Sequence, residues 1–284
     1  MSKVYQVITD RMIQLLETGT VPWQRPWKGY INAPRNLVSD KQYRGINIFM
    51  LASTGYANPY WLTFKQIKSR EGHVKKGEKG WPCVFWNWVE KENSDTGQME
   101  KQGFIKYYTV FNVEQTKGIN FPTPEVFDNF KPIQACEDIV AQMPDAPQIT
   151  RCGSKACYVP SQDRIEIPRK ELFEKIEEYY STLFHELSHS TGHAKRLNRP
   201  GIMENTRFGT EKYSKEELVA EMGATFLCGY TAIENQTIDN SAAYINSWLS
   251  QLKKDMKLVV QAASLAQKST DFILGQKLED VVRG

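Results

Sequence analysis

The chain has 284 residues, 40% of them hydrophobic, which is enough apolar material for the cores of two ordinary domains. No apolar run is long enough to span a bilayer as a helix, and the N-terminal segment is amphipathic rather than a signal peptide. The five cysteines, an odd number, show no disulfide framework. We therefore expect a protein of the reducing cytoplasm with no membrane partner.

The net charge of +3 is distributed unevenly along the chain. Residues 1–120 carry 17 Lys and Arg against 10 Asp and Glu, a net +7, whereas residues 121–284 carry 19 against 23, a net −4. Six of the seven tryptophans lie in the basic part. This break in composition indicates a domain boundary, and several prolines follow it. The predicted organisation is an N-terminal domain over 1–122, a linker over 123–132 and a C-terminal domain over 133–284.

The N-terminal domain is predicted to be mixed α and β, because helical spacing and strand alternation both occur in it. Its predicted elements are helices over 2–18 and 63–71, a short helical or buried stretch over 45–53, and strands over 81–91 and 104–113 joined by a polar loop over 92–103. Aromatic residues at alternating strand positions usually belong to a core, and we expect this of Phe85, Trp86 and Trp88.

Cations and aromatic rings are interleaved throughout this domain. A single nucleic-acid strand offers phosphates that attract Lys and Arg, and bases that stack on flat rings for about 1–3 kcal/mol each. Taken singly, each such residue also fits a core or a solvated turn; taken together, they favour nucleic-acid binding. The candidate contacts are Trp23, Arg25, Trp27, Arg35, Tyr43, Arg44, Asn47, Trp61, Lys65, Lys75, Lys76, Lys79 and Trp81.

The C-terminal domain is predicted to be mostly helical with a small sheet, which makes the whole chain α+β. Its predicted elements are a helix over 133–143, strands over 156–160 and 164–168, a helix starting after Pro168 and running past 189, a helix over 214–233 and a last helix over 241–267. The strand pair has an edge that could hold an extended peptide as an added strand. The apolar stripe of the last helix is interpreted as core packing.

His185, Glu186 and His189 form the pattern H-E-x-x-H. On a helix, positions i and i+4 lie on one face, so the two imidazoles can bind one metal ion. A metal held by three protein ligands lowers the pKa of its bound water to about 7. Glu186 can then accept the proton as general base, and the resulting nucleophile attacks a carbonyl. A surface helix that carries two histidines without a metal is the competing interpretation.

The third ligand is predicted on the helix over 214–233. A histidine three residues after Gly192 would complete another class of zinc protease, but that position is Lys195. Glu217 and Glu221 are four residues apart on one face, where like charges repel unless a cation or a partner lies between them. Glu217 is the preferred ligand, with Glu221 as a partner of a ligand histidine. Ser214 and Glu217 could instead form a capping box, in which case Glu221 would be the ligand.

The N-terminal domain resembles that of ArdC-type antirestriction proteins, which is similar to a domain of TraC-type conjugal primases. The second part resembles the zincin-like metallopeptidase domain of the same proteins. The resemblance covers nearly the whole chain. Its motifs are Pro22-Trp23-x-x-Pro26-Trp27, Tyr43-Arg44-Gly45-Ile46-Asn47, Trp61-x-Thr63-Phe64-Lys65-Gln66, Lys76-Gly77-Glu78-Lys79-Gly80, Tyr108-Thr109-Val110-Phe111-Asn112-Val113, Ile167-Pro168, Tyr180-x-Thr182-Leu183-x-His185-Glu186-Leu187-x-His189 and Glu216-Glu217-Leu218-Val219-Ala220-Glu221.

This resemblance implies a plasmid-borne protein that binds single-stranded DNA and shields incoming DNA from host restriction during conjugation. It implies a zinc-type site, which Mn²⁺ or Co²⁺ would also fit, and it supports Glu217 as the ligand. The relatives often have Asn or Asp where this chain has Glu221.

Two functions follow: a metallopeptidase that cuts a DNA-bound or restriction-related protein, or a DNA-binding shield with a structural or inactive metal site. A nuclease is disfavoured, because the sequence shows no carboxylate cluster for paired metals.

Overall fold

A computed structural model describes residues 3–24, 33–92, 99–123, 131–203, 211–235, 237 and 241–276. No helix within these ranges is long and apolar enough to cross a membrane. The predicted linker over 123–132 falls mostly outside them.

The first part of the chain combines three helices with six strands among its described residues. They are α1 (Lys3–Glu17), β1 (Arg35–Asn36), α2 (Ile46–Ala52), β2 (Tyr60–Thr63), α3 (Phe64–Lys68), β3 (His73–Val74), β4 (Trp81–Glu92), β5 (Met99–Asn112) and β6 (Thr116–Lys117). The helix α1 buries Ile8, Met12 and Leu16 on one face, at the spacing that one face of a helix requires. Its chain turns at Gly19, whose φ of +78° lies in the left-handed region that favours glycine.

Four strands form the main sheet of this part, in the order β1-β2-β5-β4. β5 is antiparallel to the whole of β4, with Trp81 opposite Val110 and Glu92 opposite Met99. The predicted hairpin loop over 92–103 is therefore too long, because residues 99–103 continue the strand. Polar residues can extend a hairpin in this way, since backbone pairing does not require an apolar face.

The second part contains six helices and three strands among its described residues. They are α4 (Pro132–Gln142), β7 (Gln148–Arg151), β8 (Cys157–Val159), β9 (Arg164–Ile167), α5 (Ile176–Ser190), α6 (Pro200–Met203), α7 (Glu211–Thr231), α8 (Ala242–Lys254) and α9 (Leu258–Ile273). The three strands form one sheet in the order β7-β9-β8, with β7 parallel to β9 and β8 antiparallel to it. β8 and β7 are therefore its two edges.

Three features of this part differ from the predictions. β7 was missed, because its parallel partner β9 comes later in the chain and supplies the pairing. α5 starts at Ile176 rather than after Pro168, because a 3₁₀ turn over Lys170–Leu172 intervenes. The predicted last helix is two helices: Asp255 is extended, and the Met256 carbonyl accepts a hydrogen bond of 2.7 Å from the Thr9 hydroxyl on α1.

The largest hydrophobic cluster contains buried side chains from both parts of the chain. Trp23 contacts Trp248 edge to face, with ring centroids 5.9 Å apart, and Phe49 stacks on Phe226 at 4.8 Å. The predicted domain boundary therefore runs through a shared core. The helix α7 also packs on this core, through Leu218, Val219 and Met222.

Candidate metal centre and nucleic-acid surface

The helix α5 carries the H-E-x-x-H residues on its inner side. Tyr179, Leu183 and Leu187 are buried and anchor the helix in the core of the second part. The i,i+4 spacing places the Nε2 atoms of His185 and His189 3.0 Å apart. Glu186 lies between them in sequence and is 8% exposed.

Glu217 of α7 completes this pair. Its carboxylate oxygens lie 3.7 Å from His185 Nε2 and 3.5 Å from His189 Nε2. Ligand atoms bound at about 2.1 Å to one tetrahedral ion are separated by about 3.4 Å, so these distances suit a single ion. Among the described residues, His185, His189 and Glu217 are the one group of three whose ligand atoms lie close enough together to hold a metal ion. Two imidazoles and a carboxylate form a donor set that leaves a fourth position for water.

Small residues allow α7 to approach α5 this closely. Ala220 and Ala224 are fully buried, as the sequence pattern suggested. Gly223 is tighter still, because a Cβ there would come within 2.5 Å of Ser188 Oγ. Ser188 lies directly before His189, so the close contact at Gly223 fixes the separation of the two ligand-bearing helices.

The capping-box alternative for Glu217 does not hold. The helix α7 already runs from Glu211, so Ser214 is an internal helical residue and not the residue that precedes the first turn. The carboxylate of Glu217 is directed instead towards the histidines.

Glu221 is held by side chains from distant parts of the chain. Its Oε2 accepts hydrogen bonds from Trp23 Nε1 at 3.0 Å and from the Tyr244 hydroxyl at 2.5 Å. Burial raises the pKa of Glu221 to about 7, although these hydrogen bonds and the nearby His185 act to lower it. Neither His185 nor His189 is among its hydrogen-bond partners in the described part of the chain, so the structure does not show the predicted pairing of Glu221 with a histidine.

Glu216 approaches the second ring nitrogen of His189 instead, and the sequence did not indicate this contact. Its Oε1 lies 3.5 Å from His189 Nδ1, and its Oε2 accepts a 3.0 Å bond from Arg199 Nε. Arg199 is 4% exposed and also donates to the Ser188 carbonyl at 2.8 Å. Burial would lower the pKa of His189, but Glu216 and the charges of Glu186 and Glu217 raise it. Arg199 belongs to the basic segment before α7. This basic segment was the feature of the sequence that could have indicated a buried carboxylate as its partner.

The sheet edge beside the metal cluster is formed by β8. Burial and the charges of Glu186 and Glu166 raise the pKa of Cys157, which is an exposed residue of β8. The helix α5, which carries Glu186, packs against β8. All five cysteines, Cys157 included, are free thiols.

Several predicted nucleic-acid contacts are buried. Trp23 and Trp61 are 0% and 1% exposed, so both are core residues that present no ring face to a strand in this conformation. Asn47 bonds the Val84 backbone through both side-chain groups, at 2.8 Å and 2.7 Å, which leaves its amide little capacity for a base. Tyr43 is also buried. Burial follows from packing against distant helices, which local composition does not reveal.

Other candidates are exposed or already paired within the protein. Lys65, Lys75, Lys76 and Lys79 are exposed. The cations Arg44 and Arg35 bind Asp271 and Asp40, at 2.6 Å and 3.2 Å, and the guanidinium of Arg11 covers Trp81. Arg25 and Trp27 lie outside the described residues.

Exposed aromatic residues occur where a core was expected. Phe85 and Trp86 are 40% and 47% exposed, which corrects the prediction that they are buried. α2 reaches β4 at Val84 through Asn47, and these two rings lie farther along the strand. Tyr107, opposite Val84 on β5, is 42% exposed. The side chain of Trp88 lies outside the described residues.

Comparison with known proteins gives a consistent assignment. Residues 2–111 match the N-terminal domain of the anti-restriction factor ArdC, and residues 134–265 match the zincin-like metallopeptidase family. The metal-free crystal structure of the antirestriction ArdC protein from plasmid R388 is 36% identical, with a TM-score of 0.74. That match covers 96% of this chain and 97% of the other. The chain belongs to the ArdC antirestriction family.

The chain is also similar to a second structure of the R388 protein and to part of two longer proteins. The R388 protein was also solved with Mn(II) bound, and that structure is 35% identical over 95% of this chain and 97% of the other, with a TM-score of 0.75. Two DNA primases TraC of Escherichia coli are 34% and 33% identical over 95% and 98% of this chain. The chain spans 27% and 20% of the length of these two primases.

Proposed function

We propose that this ArdC-type protein binds single-stranded DNA and protects incoming plasmid DNA from host restriction during conjugation, with a metal-dependent peptidase-like site in its second part. The convergence of His185, His189 and Glu217 beside Glu186 carries this proposal, because it brings together three candidate ligands and a candidate base on two helices. Its family relationship to the R388 antirestriction protein supports the biological role.

His185, His189 and Glu217 would hold one divalent cation. Their donor set suits Zn²⁺ first, and Mn²⁺ or Co²⁺ also accept imidazole and carboxylate ligands. The Mn(II)-bound structure of the R388 relative supports a site that is not restricted to zinc. When bound, such a cation lowers the pKa of a coordinated water and polarises a carbonyl.

The residues around this site would supply the general base, the orientation of His189 and the binding of the peptide. Glu186 would accept a proton from the attacking water and pass it to the leaving amine, as a general base and then a general acid. Glu216, held by Arg199, would fix the orientation of the His189 ring through Nδ1. The edge of β8, which pairs with no further strand in the described part of the chain, would align an extended peptide through backbone hydrogen bonds, next to the base.

The DNA-binding part of the proposal is supported by the exposed side chains of the first part. Lys65, Lys76 and Lys79 are exposed cations that pair with no carboxylate within the described ranges. Phe85, Trp86 and Tyr107 add exposed rings on the β4–β5 hairpin. Cations supply affinity for phosphates, and rings stack on unpaired bases, which favours single strands over a duplex.

A second candidate function is a DNA-binding shield whose metal site is structural or inactive. The support for it is the position of Trp23, which links the first part to Glu221 through a 3.0 Å hydrogen bond beside the metal cluster. In that case the cation would stabilise the joined parts, and no DNA-bound or restriction-related protein would be cleaved.

Plasmid transfer into a restricting host tests the proposal and separates the two functions. We expect the wild-type protein to raise the recovery of unmodified plasmid, and His185→Ala to abolish this effect. Glu186→Gln keeps all three ligands, so it should retain metal by mass spectrometry but lose protection if peptide cleavage is required. Protection that survives Glu186→Gln would favour the shield, and a wild-type protein without any protective effect would contradict both.

A further inference from the structure

A cleft of about 370 Å³ opens in the first part, between α2, the β4–β5 hairpin and the turn after β1. None of the three candidate metal ligands is among its described lining residues. Aromatic, amide and cationic side chains line it, including Tyr43, Phe85, Tyr108, Asn36, Gln66 and Arg44. No aspartate or glutamate is among its described lining residues. This composition suits a flat, hydrogen-bonding ligand attached to a negative charge.

The Tyr43 hydroxyl is the main indication that a ligand belongs there. Tyr43 is 7% exposed, and its Oη makes no hydrogen bond within the described chain, although Asn36 and Tyr108 approach it. Buried hydroxyls are almost always bonded, because an unpaired one costs free energy. Burial also raises the pKa of Tyr43, so the hydroxyl keeps its proton and can donate.

Two neighbouring amides extend this polar wall. Asn36 Nδ2 donates one hydrogen bond to Gln66 Oε1 at 3.1 Å, and Gln66 Nε2 donates one to Asn36 Oδ1 at 3.3 Å. Each amide nitrogen carries a second N–H group. The edge of a nucleobase, with its alternating acceptors and donors, is the kind of partner that such groups recognise.

The apolar walls and the size of the cleft suit an aromatic ring. The Phe85 ring lies at 5.7 Å from the Tyr108 ring and is 40% exposed, so one of its surfaces remains open to a ligand. A cavity of about 150 Å³ can hold benzene, which leaves room here for a one-ring or two-ring base. The side chain of Arg44 is 34% exposed and fixed by Asp271, which positions a cation at the cleft.

We propose that this cleft receives one unstacked base of a bound DNA strand, with the Tyr43 hydroxyl bonding the base edge and Phe85 stacking on its ring. This inference rests on the proposed binding of single-stranded DNA. It assigns a role to Tyr43 that differs from an exposed stacking contact, since the hydroxyl and not the ring face meets the base.

The variant Tyr43→Phe tests the inference, because binding and stability should change in opposite directions. Removing an unpaired buried hydroxyl should leave the melting temperature of the full chain equal or higher. The affinity for a fluorescently labelled oligothymidine should fall about fivefold, as expected for one lost hydrogen bond. Tyr5→Phe is the matched control, since Tyr5 is a partly buried tyrosine of α1 that is not among the lining residues of the cleft, and it should change neither quantity.

Phe85→Ala provides a second, independent variant that needs no buried substitution. We expect roughly tenfold weaker binding of the same oligonucleotide, as for one lost stacking contact. Phe121→Ala, at a matched exposure of 42% against 40%, should bind like wild type. A 2-aminopurine base in the oligonucleotide should lose fluorescence on binding wild type, and less on binding Phe85→Ala.

The possible failures are distinguishable. Wild-type affinity in both Tyr43→Phe and Phe85→Ala would overturn the base-binding cleft while leaving the proposed DNA binding intact. A wild-type protein that does not bind the oligonucleotide at all would overturn both.

Discussion

The candidate metal centre and the proposed nucleic-acid surface are built on different principles. His185 and His189 lie on one helix, and their spacing alone brings their Nε2 atoms to 3.0 Å. The side chains of the β4–β5 hairpin alternate between two faces, but distant helices decide which positions are covered. Cys83 is buried and Phe85, on the same face, is 40% exposed. The relative positions of side chains on one helix are therefore defined by the local sequence, whereas the exposure of a side chain on a sheet depends on the whole fold.

Trp23 connects these two regions, so the difference between locally defined and fold-dependent positions is not complete. Its backbone carbonyl accepts a 2.6 Å hydrogen bond from Thr225 of α7, and its indole donates to Glu221 on the same helix. A residue of the basic, tryptophan-rich part thus supports the helix that carries Glu217. The candidate metal centre therefore has a long-range contact beside it, although His185 and His189 follow a local pattern.

Removal of Glu217, the proposed third ligand, should have the largest effect on the candidate metal centre. We expect Glu217→Ala to weaken metal binding by more than about 100-fold, and Glu221→Ala by much less, because only Glu217 has oxygens near both histidines. Metal content by mass spectrometry and competition with a chelator measure this difference. Glu178→Ala, in the first turn of α5, is the control. A larger loss with Glu221→Ala would assign the ligand role to that residue.

The buried ion pair behind His189 should show the next largest effect. Glu216→Ala leaves the Arg199 guanidinium buried and unpaired, which should cost about 3–5 kcal/mol in the free energy of unfolding. Urea denaturation of the metal-free protein measures this cost. Glu17→Ala removes the exposed pair with Lys253 and should change stability by less than about 1 kcal/mol. Equal losses in the two variants would show that Arg199 finds other partners.

The sequence predicted the parts of the molecule that depend on near neighbours. The i,i+4 histidines, the helix after Ser214 and the start of the β4–β5 pair follow from spacing and alternation. It did not predict β7, which forms only beside β9, or the break at Asp255, where Met256 bonds α1. Glu216 was missed for a similar reason, since its partner Arg199 comes from a connection whose path the sequence does not specify.

Titration of Glu221 tests the long-range support that Trp23 provides. The folded-state pKa of about 7 is raised above the ordinary 4.5, so this carboxyl stabilises the fold when protonated. That contribution is complete below about pH 4.5 and is lost as the pH rises through 7. Between pH 5 and 8, the unfolding free energy of the metal-free wild type should fall by about 2 kcal/mol relative to Glu221→Gln.

Urea denaturation across this pH range gives the comparison. Glu174→Gln is the control, because Glu174 is exposed and its substitution should produce a profile parallel to wild type. Parallel profiles for wild type and Glu221→Gln would mean that this carboxyl is already ionised at pH 5. Trp23 and Tyr244 would then stabilise its charged form more strongly than burial opposes it.

The smallest expected effect concerns the exposed lysines, and it tests whether the first part contacts DNA mainly through phosphates. For single strands, each phosphate contact contributes about −0.7 to the slope of log affinity against log salt. The double variant Lys76→Ala/Lys79→Ala should therefore make the slope shallower by about 1.4. Fluorescence anisotropy of labelled oligothymidine at several salt concentrations measures it, with Lys253→Ala/Lys254→Ala on α8 as the matched control. An equal affinity for duplex DNA at every salt concentration would contradict base stacking, because a duplex offers the same phosphates but no free ring faces.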